Sequence, residues 1–325
     1  MKRRALFASM AVSALLPDGV RAQQSRRIGV LMDLDDGDPE GRLRFDAIKA
    51  ELARLGWADG VNAQIDVRWA GGVTDRMRVA AAELVALKPD AVLAYGSAAV
   101  AALRQATTIV PIVFVSVVDP VGAGFVASLA RPGGNVTGFM LLEFSAGAKW
   151  LDLLKDAAPS IARVGVLRDA TLASGRGQFE AISTVATSVG IELTPIDMLG
   201  EREIEQSIEA LALGKKSGLI VTAGTLTILH RDLILALAAK YRLPAIYSNR
   251  LFVSNGGLLS YSPYRSEQYQ QAASYISRIL KGAKPADLPV QAPTKYELAV
   301  NLRTARSLGL AVPPSILASA DELIE

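Results

Sequence analysis

The chain has 325 residues, half of them hydrophobic, with no cysteine and a single histidine. Its net charge of +3 arises from 35 basic and 32 acidic residues, and positions 1–22 carry that whole excess, leaving 31 of each sign in the remainder. A cysteine-free chain has no disulfide, thiolate nucleophile, cysteine metal site or lipid-modified N-terminal cysteine, and a neutral one without a basic tract offers no phosphate-binding stripe to nucleic acid.

The chain opens on Lys2, Arg3 and Arg4, followed by an apolar run over 5–16 and a break at Pro17-Asp18-Gly19. Twelve apolar residues are too few to span a bilayer. With Val20-Arg21-Ala22 behind them they read as a cleaved secretory signal over 1–22, which places the mature chain in the periplasm. Arg3-Arg4 leaves the twin-arginine and general export routes both open. No later stretch is apolar and uncharged for 18 residues, so the mature chain is not expected to span a membrane.

In chain order, short β-branched runs alternate with helical patterns. Strands are predicted over 27–32, 64–69, 90–95 and 111–115, with helices over 39–55, 74–87, 97–106 and 120–130. Strands at 163–168, 191–197, 218–222 and 244–248 follow, with helices at 175–189, 201–213 and 226–241. The strands are nearly all apolar rather than alternating, as a parallel sheet covered on both faces requires. A strand over 256–261, a helix over 266–281, an extended stretch punctuated by Pro285, Pro289 and Pro293, a strand over 295–300 and a helix over 301–308 complete the chain.

The first half recurs in the second. Arg27-Ile28-Gly29-Val30-Leu31 returns as Arg163-Val164-Gly165-Val166-Leu167, and Phe45-Asp46-Ala47-Ile48 as Phe179-Glu180-Ala181-Ile182. Leu55-Gly56 returns as Val189-Gly190, the run ending at Gly96-Ser97 as the run ending at Gly224-Thr225, and Val110-Pro111-Ile112-Val113 as Leu243-Pro244-Ala245-Ile246. Five blocks in order, offset by 127 to 136 residues, mean two copies of one architecture rather than a solenoid. The expected fold is α/β, two Rossmann-like lobes with parallel sheets joined by a three-segment hinge. One lobe takes 26–139 and 260–290, the other 140–258 and 291–325, with crossings near 138–142, 255–262 and 290–298.

Open α/β sheets bind ligands beyond the carboxyl ends of their strands, and two facing sheets make a cleft suited to closure by a hinge. The residues in that position are Gly96, Ser97, Ser116 and Asp119 in the first lobe and Arg168, Thr222, Thr225 and Tyr247 in the second, with Tyr261 from the later strand. Ser97 and Thr225 start helices, where a hydroxyl and free N–H groups either cap the helix or hold a carboxylate. Asp119 either caps the helix after Pro120 or pairs with a ligand amino group. Tyr247 and Tyr261 either stack on a ligand or belong to the core, and Arg168 either forks onto a carboxylate or reaches solvent.

Catalytic signatures are missing. His230 has no sequence partner for a triad or metal site, and there is no Gly-x-Ser-x-Gly elbow, phosphate loop or dinucleotide fingerprint. Asp33, Asp35, Asp36 and Asp38 read as a solvated loop in preference to a Ca²⁺ site. No enzyme, cofactor or metal is expected.

Several segments carry a resemblance. They are Asp38-Pro39-Glu40-Gly41, Leu55-Gly56-Trp57, Asp119-Pro120-Val121-Gly122, the run from Leu129-Ala130-Arg131-Pro132-Gly133-Gly134-Asn135 to Gly138, Lys149-Trp150-Leu151-Asp152-Leu153-Leu154-Lys155, Ala286-Asp287-Leu288-Pro289 and Asn301-Leu302. Together they resemble the ABC transporter substrate-binding family that includes the TrpX-like proteins, over nearly all of the mature chain. The resemblance implies a type I periplasmic-binding-protein fold and a monomeric importer component that hands a small solute to an ABC permease and its ATPase. For characterised relatives it implies aromatic amino acids, and here an amino acid, aromatic or other carboxylate. It singles out Ser97 and the Asp119 region. A secreted receptor of the same fold, feeding a sensor kinase or chemoreceptor, is the alternative.

Overall fold

A computed structural model describes residues 25–264 and 268–325; the export signal expected over 1–22 lies outside them. The first lobe is built from β1 (Arg26–Met32), α1 (Pro39–Arg54), β2 (Ala63–Trp69), α2 (Thr74–Ala86), β3 (Ala91–Tyr95), α3 (Gly96–Ala106), β4 (Ile112–Val118) and β5 (Val136–Leu142). The strands pair in parallel in the order β2-β1-β3-β4-β5. Every residue of β3 and β5 is buried, as expected of strands covered on both faces.

The second lobe follows with α4 (Ala146–Ala157), β6 (Arg163–Arg168), α5 (Ala173–Ala186), β7 (Glu192–Asp197), α6 (Glu201–Leu213), β8 (Ser217–Val221), α7 (Thr225–Leu229), α8 (Arg231–Lys240), β9 (Ala245–Tyr247), α9 (Arg250–Ser254) and β10 (Leu259–Pro263). The chain then returns to the first lobe, where α10 (Gln268–Leu280) packs on α1 and the sheet. Its last elements, β11 (Tyr296–Asn301), α11 (Leu302–Leu308), α12 (Pro314–Ser319) and β12 (Glu322–Ile324), rejoin the second. That sheet runs β12-β11-β10-β9-β8-β6-β7, with β10 and β11 antiparallel.

The sequence repeat becomes a structural one. Its blocks fold as β1 and β6, α1 and α5, β3 and β8, and β4 and β9, and the strand order β2-β1-β3-β4 of one lobe is β7-β6-β8-β9 in the other. The chain crosses three times. Sheet membership puts the first two crossings slightly later than expected, because β5 stays in the first sheet to Leu142 and β10 stays in the second to Pro263. The third follows Gln291, whose N–H donates to Gly138 O at 2.9 Å and whose carbonyl accepts from Met140 N at 2.9 Å.

Two predicted helices differ. Residues 120–130 form turns, not a helix: Asp119 and Gly124 adopt left-handed φ values of 38° and 71°, and the amides of Phe125 and Val126 both bond back to Pro120 O. The helix expected over 226–241 breaks at His230 into α7 and α8. The break brings Arg231 into reach of the first lobe.

Candidate functional site

The carboxyl ends of both sheets converge on a cavity between the lobes. From the first lobe, Asp33 follows β1 and is 3% exposed, and Arg44 rises from α1 at 2%. Arg44 Nε bonds Glu40 Oε1 at 2.9 Å, and its guanidinium lies 4.5 Å from the centre of the Tyr95 ring. Burial works against that charge, yet Tyr95, Tyr269, Asp33 and Glu40 together hold the guanidinium more firmly protonated than an ordinary arginine. Tyr95 is the last residue of β3. Its hydroxyl accepts from Ser116 Oγ at 2.9 Å. Ser116 sits at an irregularity in the β4–β5 pairing with φ of 57°, a bulge that turns its hydroxyl toward the cleft. Gly96 is required between Tyr95 and Ser97: φ is 82°, and a Cβ there would lie 2.9 Å from Asp33 Oδ2.

The second lobe supplies Ser174, Thr225, Thr227, Ser248 and Asn249, with Leu172 and Ile228 as apolar neighbours. The loop after β8 is held by Gln178, wholly buried on α5. Its Nε2 donates to Ala223 O and its Oε1 accepts from Ala223 N, both at 2.9 Å. Asn249 is 7% exposed. Its Oδ1 caps α9 by accepting from Leu251 N at 3.0 Å, whereas Nδ2 has no hydrogen-bond partner among the described residues. A buried amide donor left open on a cavity wall is a costly feature unless something fills it.

The lobes are closed on one another. Thr225 Oγ1 donates to Asp33 Oδ2 across the cleft, and a methyl group on Gly72 would come within 2.2 Å of Leu229 Cδ1. Outside the cavity Arg231 Nη1 donates to Asp38 Oδ2 at 3.0 Å. Burial raises the Asp38 value, but the Arg231 hydrogen bond, the Gly41 amide, the Arg231 charge and the Glu40 amide outweigh it and hold the carboxyl below the usual range. Its contribution to the closed form is present above the ordinary carboxylate value, about 3.9, and is lost as the pH falls through the lower value held there. Arg231→Met therefore shifts the ligand-free chain toward an open form, seen as a larger radius of gyration in X-ray scattering. It also weakens solute binding by about 1 kcal/mol, roughly fivefold, without touching the solute. Unchanged scattering and affinity would remove the pair from closure.

Of the nine residues proposed from sequence, Gly96, Ser97, Ser116 and Thr225 line the cavity. Ser97 lies one residue inside α3 rather than capping it, and its Oγ accepts from Val118 N at 3.3 Å. The structure takes the other five away from the cavity wall. Arg168 pairs with Asp197 at 2.7 Å and lies over Phe179. Thr222 is buried and donates to Leu167 O. Tyr247 is a core residue stacked on Phe252, and burial pushes its hydroxyl well above the ordinary tyrosine value in place of its facing a ligand. Tyr261 stacks on Tyr296 at the crossing. Asp119 accepts from Gly122 N inside a tight turn, with no helix to cap. The acidic loop is also corrected in part. Asp35 and Asp36 are solvated and pair with Arg76 and Arg42, but Asp33 enters the cavity and Asp38 caps α1. Among the described residues no group of three or more acidic or histidine side chains could hold a metal, and no helix is long and apolar enough to cross a membrane.

A family model described as ABC transporter substrate binding protein matches residues 39–324. A tyrosine-binding protein of Clostridioides difficile (strain R20291) is 28% identical over 263 residues, covering 81% of this chain and 75% of that protein. The solved ABC domain in complex with L-Trp from Streptococcus pneumonia superposes with a TM-score of 0.84 at 26% identity, over 93% of this chain and 100% of that one. A conserved domain protein from Vibrio cholerae gives 0.85 at 25% identity, over 92% and 100%. Both superpositions span the two lobes, in keeping with the type I periplasmic-binding-protein architecture.

Proposed function

The chain belongs to the ABC transporter substrate binding protein family, and we propose that it captures an α-amino acid in the interlobe cleft as the extracytoplasmic component of an importer. The family is one of solute-binding proteins, not enzymes. The observation that carries the amino-acid reading is the pairing of opposite charges on one cavity wall. The Asp33 carboxylate and the Arg44 guanidinium both line it, beside the open Asn249 amide and the hydroxyls of Ser97, Ser116 and Ser248. A zwitterion meets each charge with its complement, in addition to the Thr225 and Glu40 contacts that Asp33 and Arg44 already make, whereas a neutral solute brings an ion pair to neither. The ammonium is assigned to Asp33. The carboxylate is assigned to Asn249 Nδ2, Arg44 and the free amides at the start of α3, where the helix dipole adds to the attraction. The relatives that bind tyrosine and L-tryptophan support the same class.

In this reading residues 1–22 direct export to the periplasm, and the closed, loaded protein docks on a permease driven by its ATPase. Calorimetric titration with an amino acid, its decarboxylated amine and its deaminated acid tests the charge pairing. Only the intact zwitterion is expected to bind, each truncation weakening affinity at least a hundredfold. Equal binding of the amine or the acid would reject the assignment.

A further inference from the structure

The polar cavity is not the only space between the lobes. A second, larger one lies alongside it, and Leu172 and Thr225 line both. Beside the polar Arg78, Gln105 and Asp169, its walls carry Met77, Ala98, Ala101, Ala102, Leu172 and Leu226, an apolar surface drawn from both lobes. On α3 the residues Ala98, Ala101 and Ala102 fall at the i, i+3, i+4 spacing of one helical face, one residue beyond Ser97 in the polar cavity. The small side chains keep this face of the helix retracted. The first cavity also has apolar walls, at Val118, Leu141 and Ile228, but it is the smaller of the two and the Thr225–Asp33 hydrogen bond crosses it, so a large side chain does not fit within it.

Resting on the amino-acid reading above, we propose that the Ala98–Ala101 face and Leu172 form the side-chain subsite, so that specificity for size and apolarity is set by α3 and the segment after β6 rather than by the polar cavity. The solute's α-carbon then sits at the neck between Leu172 and Thr225, its charged groups turned inward and its side chain outward along α3. An amino acid with a bulky apolar side chain fills both spaces, and its side chain is taken out of water by both lobes on closure. A compact one fills only the first.

Calorimetric titration of the whole mature chain with L-alanine, L-leucine, L-tyrosine and L-tryptophan tests this, in wild type and in the Ala98→Leu and Ala101→Leu variants. Both positions are only partly buried on a helix, where leucine is a favourable residue. Circular dichroism and melting temperature verify that each variant folds. In the wild type at least one bulky amino acid is expected to bind tenfold or more tighter than alanine. The leucine variants lower that affinity at least tenfold and lower alanine binding by a distinctly smaller factor. Bulky and compact amino acids of equal affinity, or leucine variants that change both alike or neither, would overturn the subsite while leaving the charge pairing intact. Failure of every amino acid to bind would overturn the amino-acid reading itself, and the subsite with it.

Discussion

Asp33→Asn lowers affinity for the solute by two to three orders of magnitude while the ligand-free protein melts close to the wild type. Asparagine keeps the size of the side chain and an oxygen able to accept the Thr225 hydroxyl, so the interlobe hydrogen bond survives. What is lost is the negative charge against the solute ammonium in a position 3% exposed to water. Truncating one member of a buried, hydrogen-bonded charge pair costs about 2–5 kcal/mol, because the other charge stays desolvated without its complement. The unliganded chain gives up much less. Arg44 retains Glu40 at 2.9 Å, and a buried carboxylate is itself weak evidence of stability. The measurement is titration of both proteins with the same amino acid, alongside their melting temperatures. An affinity within threefold of the wild type would remove Asp33 from the ammonium site. Ser97→Ala, which deletes a hydroxyl but no charge, is expected to cost nearer 1 kcal/mol.

The two sheets were legible because burial on both faces leaves a plain signal, the nearly all-apolar run, and the repeat doubled every observation. The site was legible only where it depends on backbone position. Gly96, Ser97, Ser116 and Thr225 follow strand ends, and the topology alone brings them to the cleft. Tyr247 and Arg168 lie away from the cavity for reasons of strand parity and strand pairing. Tyr247 is the last residue of β9 and points into the core against Phe252, so the next two residues, Ser248 and Asn249, take the cavity. Arg168 ends β6 in register with Asp197 of β7, and its charge is met by that neighbouring strand. A shift of one residue along a strand reverses the face a side chain occupies, and the end of a short strand is where sequence is least able to fix that register. Arg44 gave still less warning. It stands on α1 among Arg42 and Lys49, and only the packing of α1 against β3 separates a cleft cation from a surface one. Gln178 left no local sign, because its partner Ala223 is 45 residues away.

Trp150 was visible in the sequence as part of a shared segment, but its role there became clear only from its contacts. It is 1% exposed on α4, in the core formed with α5, β6, β8 and β10. Its indole Nε1 donates at 2.8 Å to the carbonyl of Tyr261, two residues before the chain leaves the second sheet at Pro263. Trp150→Ala is expected to lower the unfolding free energy by about 3–5 kcal/mol, from lost burial and the cavity left behind, together with a carbonyl deprived of its donor. Trp150→Phe restores most of the volume but not the donor, and should lie about 1–2 kcal/mol below the wild type. The two variants thus separate packing from the hydrogen bond. Both are read by denaturant unfolding without solute, because a bound amino acid would stabilise the folded form by mass action and mask part of the loss. The bond anchors β10 where the second crossing begins, so the phenylalanine variant should also exchange the backbone amides of β10 for deuterium faster than those of β6. If Trp150→Ala unfolds within 1 kcal/mol of the wild type, α4 is not the element that holds the second lobe's core against the crossing. If the alanine variant is destabilised but β10 exchanges as slowly as before in the phenylalanine variant, the indole packs the lobe without steadying the hinge.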